Sequence, residues 1–209
     1  MKLYLTIILL VFVFTSCKEE KTNLPNVEAV ETVLGTTDSI TDTVEDVVTI
    51  DLNSKLRDKV TRLSKLKHNY IIKEFVEVDV KRSMLIGQLA RLSSRTYLEE
   101  MFKDVSIEVL KKDLYSTQEC FVKGTKAMNI NSNTYPRARL VEYIFKTEEA
   151  AKQSFDALKA IKRKGSVWMQ ISKSPDILFL EDNRIYFVRT GGMYMLDIYK
   201  QIEAELKLK

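Results

Sequence analysis

The sequence predicts an α+β domain in which helices pack on one face of a small antiparallel sheet. Three observations carry that expectation. Ala138 to Phe145 (ARLVEYIF) is rich in β-formers and runs directly into a helical stretch, Glu148 to Lys164. Ile177 to Leu180 and Arg184 to Arg189 flank Glu181-Asp182-Asn183, a short polar turn between two apolar runs, which is a hairpin signal. Amphipathic stripes with a helical period open and close the region, from Leu52 to Tyr70 and from Met195 to Leu208.

Taken in order, Leu52, Leu56, Val60, Leu63, Leu66 and Tyr70 recur three and four residues apart, with Asp51 as a possible N-cap and lysines and arginines on the remaining face. Val76, Val78 and Val80 alternate with acids, which suggests a short strand. Met84 to Phe102 resumes a helical period, and Val105 to Tyr115 is ambiguous, with the balance towards helix. Gly124, three asparagines and Pro136 mark loops around a segment without a clear pattern. The helix Glu148 to Lys164 is capped by Thr147 and stopped by Gly165, with Ala151, Phe155, Leu158 and Ile161 as its apolar stripe. Val167 to Ser172 reads as a strand, so the second half runs strand, helix, strand, hairpin, helix.

The charge is unevenly divided. From Lys18 to Asp51 there are nine acids and two lysines; from Leu52 to Lys209 there are 30 bases and 20 acids, a net +10. The acidic stretch also has seven threonines, no aromatic residue, one proline and one glycine. It lacks the apolar surface to offset its ordering entropy, so residues 17–51 read as a disordered tether, with a short docking strand at Val44 to Ile50 as the one exception. As a coil it spans about 30 Å. The remaining 158 residues, Leu52 to Lys209, are the size of a single domain with its own core.

The first 20 residues fix an address. Lys2 is followed by a twelve-residue apolar run, Leu3 to Phe14, then by Thr15-Ser16 and Cys17, with charges immediately after. This is the three-part layout of a secretory signal, too short to remain as a membrane span. Phe14-Thr15-Ser16-Cys17 resembles the lipobox of bacterial lipoproteins. That resemblance implies removal of residues 1–16 and acylation of Cys17 with palmitate-type chains, which together hold a protein durably at a bilayer. Lys18-Glu19-Glu20 looks like the charged export signal that carries some lipoproteins to the cell surface. An outer-membrane address follows from the resemblance, on the periplasmic or the surface face.

The search for chemistry is informative mainly by scarcity. With Cys17 acylated, one histidine (His68) and one free cysteine (Cys120) remain, too few for a cysteine- or histidine-built zinc site or an intramolecular disulfide. No phosphate fingerprint or cofactor motif is present; Thr190-Gly191-Gly192 reads as a turn. No catalytic, cofactor-binding or metal-binding residue is assigned. Lys159, Lys162, Arg163 and Lys164 complement a helix C-terminus, and the anchor sets nucleic acid aside as a partner. On a strand Val167 to Ser172, Trp168 stands opposite the aliphatic positions, exposed if only one sheet face is covered. Beside Arg184 and Arg189 it would then stack on a glycan or anchor a protein.

The expectation is a lipid-anchored envelope protein whose basic, non-catalytic domain binds or scaffolds an anionic protein or glycan, with Trp168, Arg184 and Arg189 as ligand-binding candidates. An envelope hydrolase using carboxylates and an inhibitor or immunity protein are the alternatives.

Overall fold

The computed structural model describes residues 50–208 apart from residue 197, and all of these fall in one compact unit, residues 47–209. Cys17, the Lys18-Glu19-Glu20 string, most of the tether and all but Ile50 of the docking strand expected at Val44 to Ile50 lie outside the described residues.

The α+β class holds. Five strands, β1 (Tyr70–Glu77), β2 (Leu114–Gly124), β3 (Arg137–Phe145), β4 (Asp176–Glu181) and β5 (Arg184–Thr190), form one antiparallel sheet in the order β1-β2-β3-β5-β4. The helices are α1 (Leu56–Arg62), α2 (Ile86–Ser93), α3 (Glu99–Phe102), α4 (Ile107–Lys111), α5 (Glu148–Arg163), α6 (Gly165–Trp168) and α7 (Tyr199–Leu206). They cover both faces of the sheet, not one. Val141, Tyr143, Phe145, Ile185 and Phe187 point towards α2 to α6, while Leu140, Cys120, Val122, Tyr186 and Val188 point towards α1 and α7. The strict alternation along β3 and β5 is what lets a single sheet seed two cores. Among the described residues, no helix is long and apolar enough to cross a membrane.

Local signals explain the elements that the sequence places well. Thr147 Oγ1 accepts from the Ala150 amide at 3.1 Å, Glu148 and Glu149 sit in the first turn, and Lys162 and Arg163 sit in the last, so cap and dipole agree over α5. Its buried face is Ala150, Ala151, Ser154, Leu158 and Ile161. Full burial of one leucine such as Leu158 contributes about 1.5–3 kcal/mol. The β4–β5 hairpin turns at Asp182, whose φ of 52° is the left-handed conformation that aspartate tolerates.

Four expectations change. The first helix ends at Arg62, followed by one 3₁₀ turn to Lys65; Asn69, with φ 45°, then reverses the chain and Tyr70 opens β1. Asp51 does not cap it. Its Oδ1 accepts from the Asn53 amide at 2.9 Å, and the carboxylate at the helix start comes from Glu142 on β3. β2, the second strand of the sheet, overlaps the stretch to Tyr115 that leans towards helix and has no strand signal between there and Gly124, because its pattern is broken by the buried polar residues Thr117 and Glu119. Val167 to Ser172 is no strand: α6 covers Gly165–Trp168 and helical turns continue, with the Ile171 and Ser172 amides bonded to the Trp168 carbonyl.

Candidate basic cleft at the sheet end

A single register row crosses all five strands on the α2–α6 face: Glu74, Phe121, Arg139, Arg189, Asp176. One step nearer the middle of the sheet the row is Val76, Glu119, Val141, Phe187, Leu178, where the apolar core begins. One step outward, Lys123 pairs with Arg137. On the two central strands β3 and β5 the sheet face therefore changes from core to cation within two residues, Val141 to Arg139 and Phe187 to Arg189, while the edge strands β1 and β4 end the row in acids.

Arg137, Arg139 and Arg189 line an open cleft of about 280 Å³, with Phe121, Ser174, Thr190 and Gly191. Arg139 and Arg189 face each other directly, and like charges so placed cost about 0.2–1 kcal/mol. Burial, and after it the charge of Arg139, lowers the Arg189 pKa from its ordinary value. Arg189 donates to the Ile171 carbonyl at 3.1 Å. Arg139 reaches towards two acids, Glu119 at 3.5 Å and Glu74 at 3.8 Å, and its guanidinium stands 5.9 Å from the Phe121 ring centre. Glu119 is nearly buried and accepts from the Met84 amide at 2.7 Å; burial pushes its carboxyl pKa up.

Trp168 is 6 % exposed and offers no surface for stacking. Its ring meets Phe187 edge-on at 5.9 Å, and its indole N–H donates to Asp176 Oδ2 at 2.9 Å. Lys162 holds the other oxygen of Asp176 at 2.5 Å. Trp168 and Arg189 are thus joined through Asp176, the register partner of Arg189. The exposed aromatic expected beside the arginines is a buried residue that fixes the acid at the end of their row.

Arg184 lies at the opposite end of β5, on the other face, and is 1 % exposed. Its Nη2 donates to the carbonyls of Asp51 (2.7 Å) and Asn53 (2.9 Å) and stands 3.1 Å from the Asp51 carboxylate. Its Nε lies 3.4 Å from Glu142 Oε1 without an aligned hydrogen bond, so that pair is held by charge. Glu142, fully buried, also accepts from Ser54 Oγ, the Lys55 and Leu56 amides and the Tyr186 hydroxyl. Burial first, and then the Glu142 charge, drives the Tyr186 pKa upward. Nearby Lys59 pairs with Glu181 at 2.7 Å and donates to the Leu206 carbonyl at 2.9 Å. This network seats the start of the domain on the sheet. Arg184 therefore has a structural task and does not reach the cleft.

The Cys120 thiol is buried and its pKa is pushed up to about 12 by that burial, which leaves almost no thiolate at neutral pH. His68 is buried with Nδ1 3.3 Å from the Lys126 carbonyl. Among the described residues, no three His, Cys, Asp or Glu side chains stand together as metal ligands.

Arg139 lies inside the run ARLVEYIF and Arg137 just before it, where the apolar residues dominate the pattern and hide both cations. Their alternation with Ala138 and Leu140 was the available signal: odd positions cationic, even positions apolar. No known protein family, curated protein or solved structure matches the chain.

Proposed function

We propose that the protein is a lipid-anchored, non-catalytic component of a bacterial outer membrane, held by acylated Cys17, whose basic domain binds an anionic protein or glycan partner in the arginine cleft. The facing pair Arg139 and Arg189, with Arg137 beside it, carries this reading. Two guanidiniums opposed across a strand pair repel in the free protein, and an anion between them turns that repulsion into attraction on both sides. The acidic tether gives the domain reach from the anchor and, carrying net −7, would compete weakly for the same cations.

The test is titration of the full chain with an anionic polymer, polygalacturonate or polyglutamate, at low and physiological salt. Saturable binding that weakens with salt and drops at least tenfold in R139Q/R189Q supports the reading. Equal binding by wild type and variant overturns it. The anchor has its own test, mass spectrometry of the natural protein: an intact N-terminus with a free thiol at Cys17 removes it.

A further inference from the structure

The cleft is small and its lining is cationic. Three arginines surround a space of 280 Å³, enough for a single anionic group and part of what bears it. Two carboxylates, Glu119 and Glu74, already approach Arg139. A further carboxylate would repeat what that arginine has, whereas Arg137 and Arg189 make no ion pair within 4.0 Å among the described residues. Their cationic forks suit acceptor oxygens arranged around one centre.

Gly191 adds a second, independent observation. A Cβ there would stand 2.5 Å from the Tyr194 hydroxyl and 2.6 Å from Arg137 Cγ. Absence of a side chain at this position thus lets the Arg137 stem fold across the β5 end and brings a phenol donor to the same rim. Ser174, also on the cleft wall, supplies a hydroxyl.

We propose that the occupant is a phosphate monoester, whose charge of about −1.5 to −2 at neutral pH and three terminal oxygens match three guanidinium forks better than a carboxylate does. This rests on the reading that the cleft takes an anion, and it names the anion's chemistry. The phosphate can be borne by a sugar or by a lipid headgroup.

Calorimetric titration of the full chain in detergent uses inorganic phosphate, glucose 1-phosphate and acetate as probes. A flotation assay uses phosphatidylcholine vesicles with and without about 20 % phosphatidic acid, whose headgroup is a phosphate monoester. Expected is one-site binding of the phosphate probes at least tenfold tighter than acetate, weakened at least tenfold in R139Q and in R189Q. The exposed Arg137 gives a variant, R137Q, that spares the core and should show the same direction. G191A should also weaken binding by displacing the Arg137 stem, and K67Q on the separate basic stretch should leave it unchanged. Binding of the glucose ester without vesicle binding assigns the phosphate to a soluble or glycan source; binding of the phosphatidic acid vesicles assigns it to a headgroup. Phosphate no tighter than acetate, or arginine variants that bind like wild type, overturns the proposal. If polygalacturonate or polyglutamate still binds through Arg139 and Arg189 in that event, only the phosphate assignment fails. If no anion depends on these arginines, the proposed function fails with it.

Discussion

Glu142→Gln isolates the network that seats the first residues of the domain on the sheet. The fully buried Glu142 carboxylate accepts from Ser54 Oγ, the Lys55 and Leu56 amides and the Tyr186 hydroxyl, and its charge faces buried Arg184. Glutamine keeps one acceptor oxygen, turns an amide group towards donors and leaves Arg184 without its buried counter-charge. Removing one partner of a buried ion pair costs about 3–5 kcal/mol. The lower end applies, because Arg184 retains the half-exposed Asp51 carboxylate at 3.1 Å and two backbone carbonyls. With a urea m-value of about 2 kcal/mol/M, a loss of about 3 kcal/mol lowers the midpoint by about 1.5 M. That is a large part of a total stability of about 5–15 kcal/mol. Urea denaturation followed by far-ultraviolet circular dichroism measures it. In E142Q/R184M the two losses should fall short of additivity by at least about 1 kcal/mol, because the single variants each strand the same partner. A midpoint shift below about 0.5 M at an m-value near 2 kcal/mol/M, or strict additivity, would refute the reasoning.

Three further outcomes are expected. The Asn53 amide, and after it Arg184 and Lys55, hold the Asp51 carboxyl below its ordinary value of 3.8, so its stabilisation is present above that value and is lost as pH falls through the lower native one; D51N should therefore be less stable than wild type at pH 7, with the difference closing in acid-dependent urea melts. Trp168 is the sole tryptophan and is 6 % exposed, so the native protein should show blue-shifted emission and little quenching by iodide; a red-shifted, readily quenched signal would contradict its burial. Burial raises the Glu119 pKa, which means the folded state binds its proton more tightly and gains stability as pH falls through the native value; at pH 7 E119Q should match or exceed wild type in stability, the difference should close in acid, and its phosphate affinity should rise several-fold because Arg139 loses a competitor.

The features legible in the sequence are those fixed by neighbours along the chain. Thr147, the stripe from Ala151 to Ile161 and Gly165 act within one helix, and α5 appears where they place it. Asp182 turns a hairpin whose strands flank it directly. β2 is not legible, because Glu119 and Thr117 face inward, and the partners of Glu119, Met84 and Arg139, come from distant segments. Val167 to Ser172 alternates like a strand, yet the close of α5 carries it on as helical turns, which takes Trp168 into the core beside Phe187. The arginine row exists only once the register of β2, β3, β5 and β4 is known: Arg189 was visible as a cation, but its neighbour Arg139 is set by pairing and not by proximity in sequence. Arg184 drew attention for the same reason that Arg189 did, and its role differs because it sits five residues earlier on the opposite face of the same strand.

The most direct test of where the partner binds is amide-resolved NMR of the full chain during titration with glucose 1-phosphate and, separately, polygalacturonate. Expected shifts cluster on Phe121, Arg137 to Arg139, Ser174 and Arg189 to Gly191, the residues around the arginine row, and disappear in R139Q/R189Q. Shifts confined to the basic stretch from Lys55 to Lys67, or spread evenly over the surface lysines and unchanged in that variant, would contradict the assignment of the cleft.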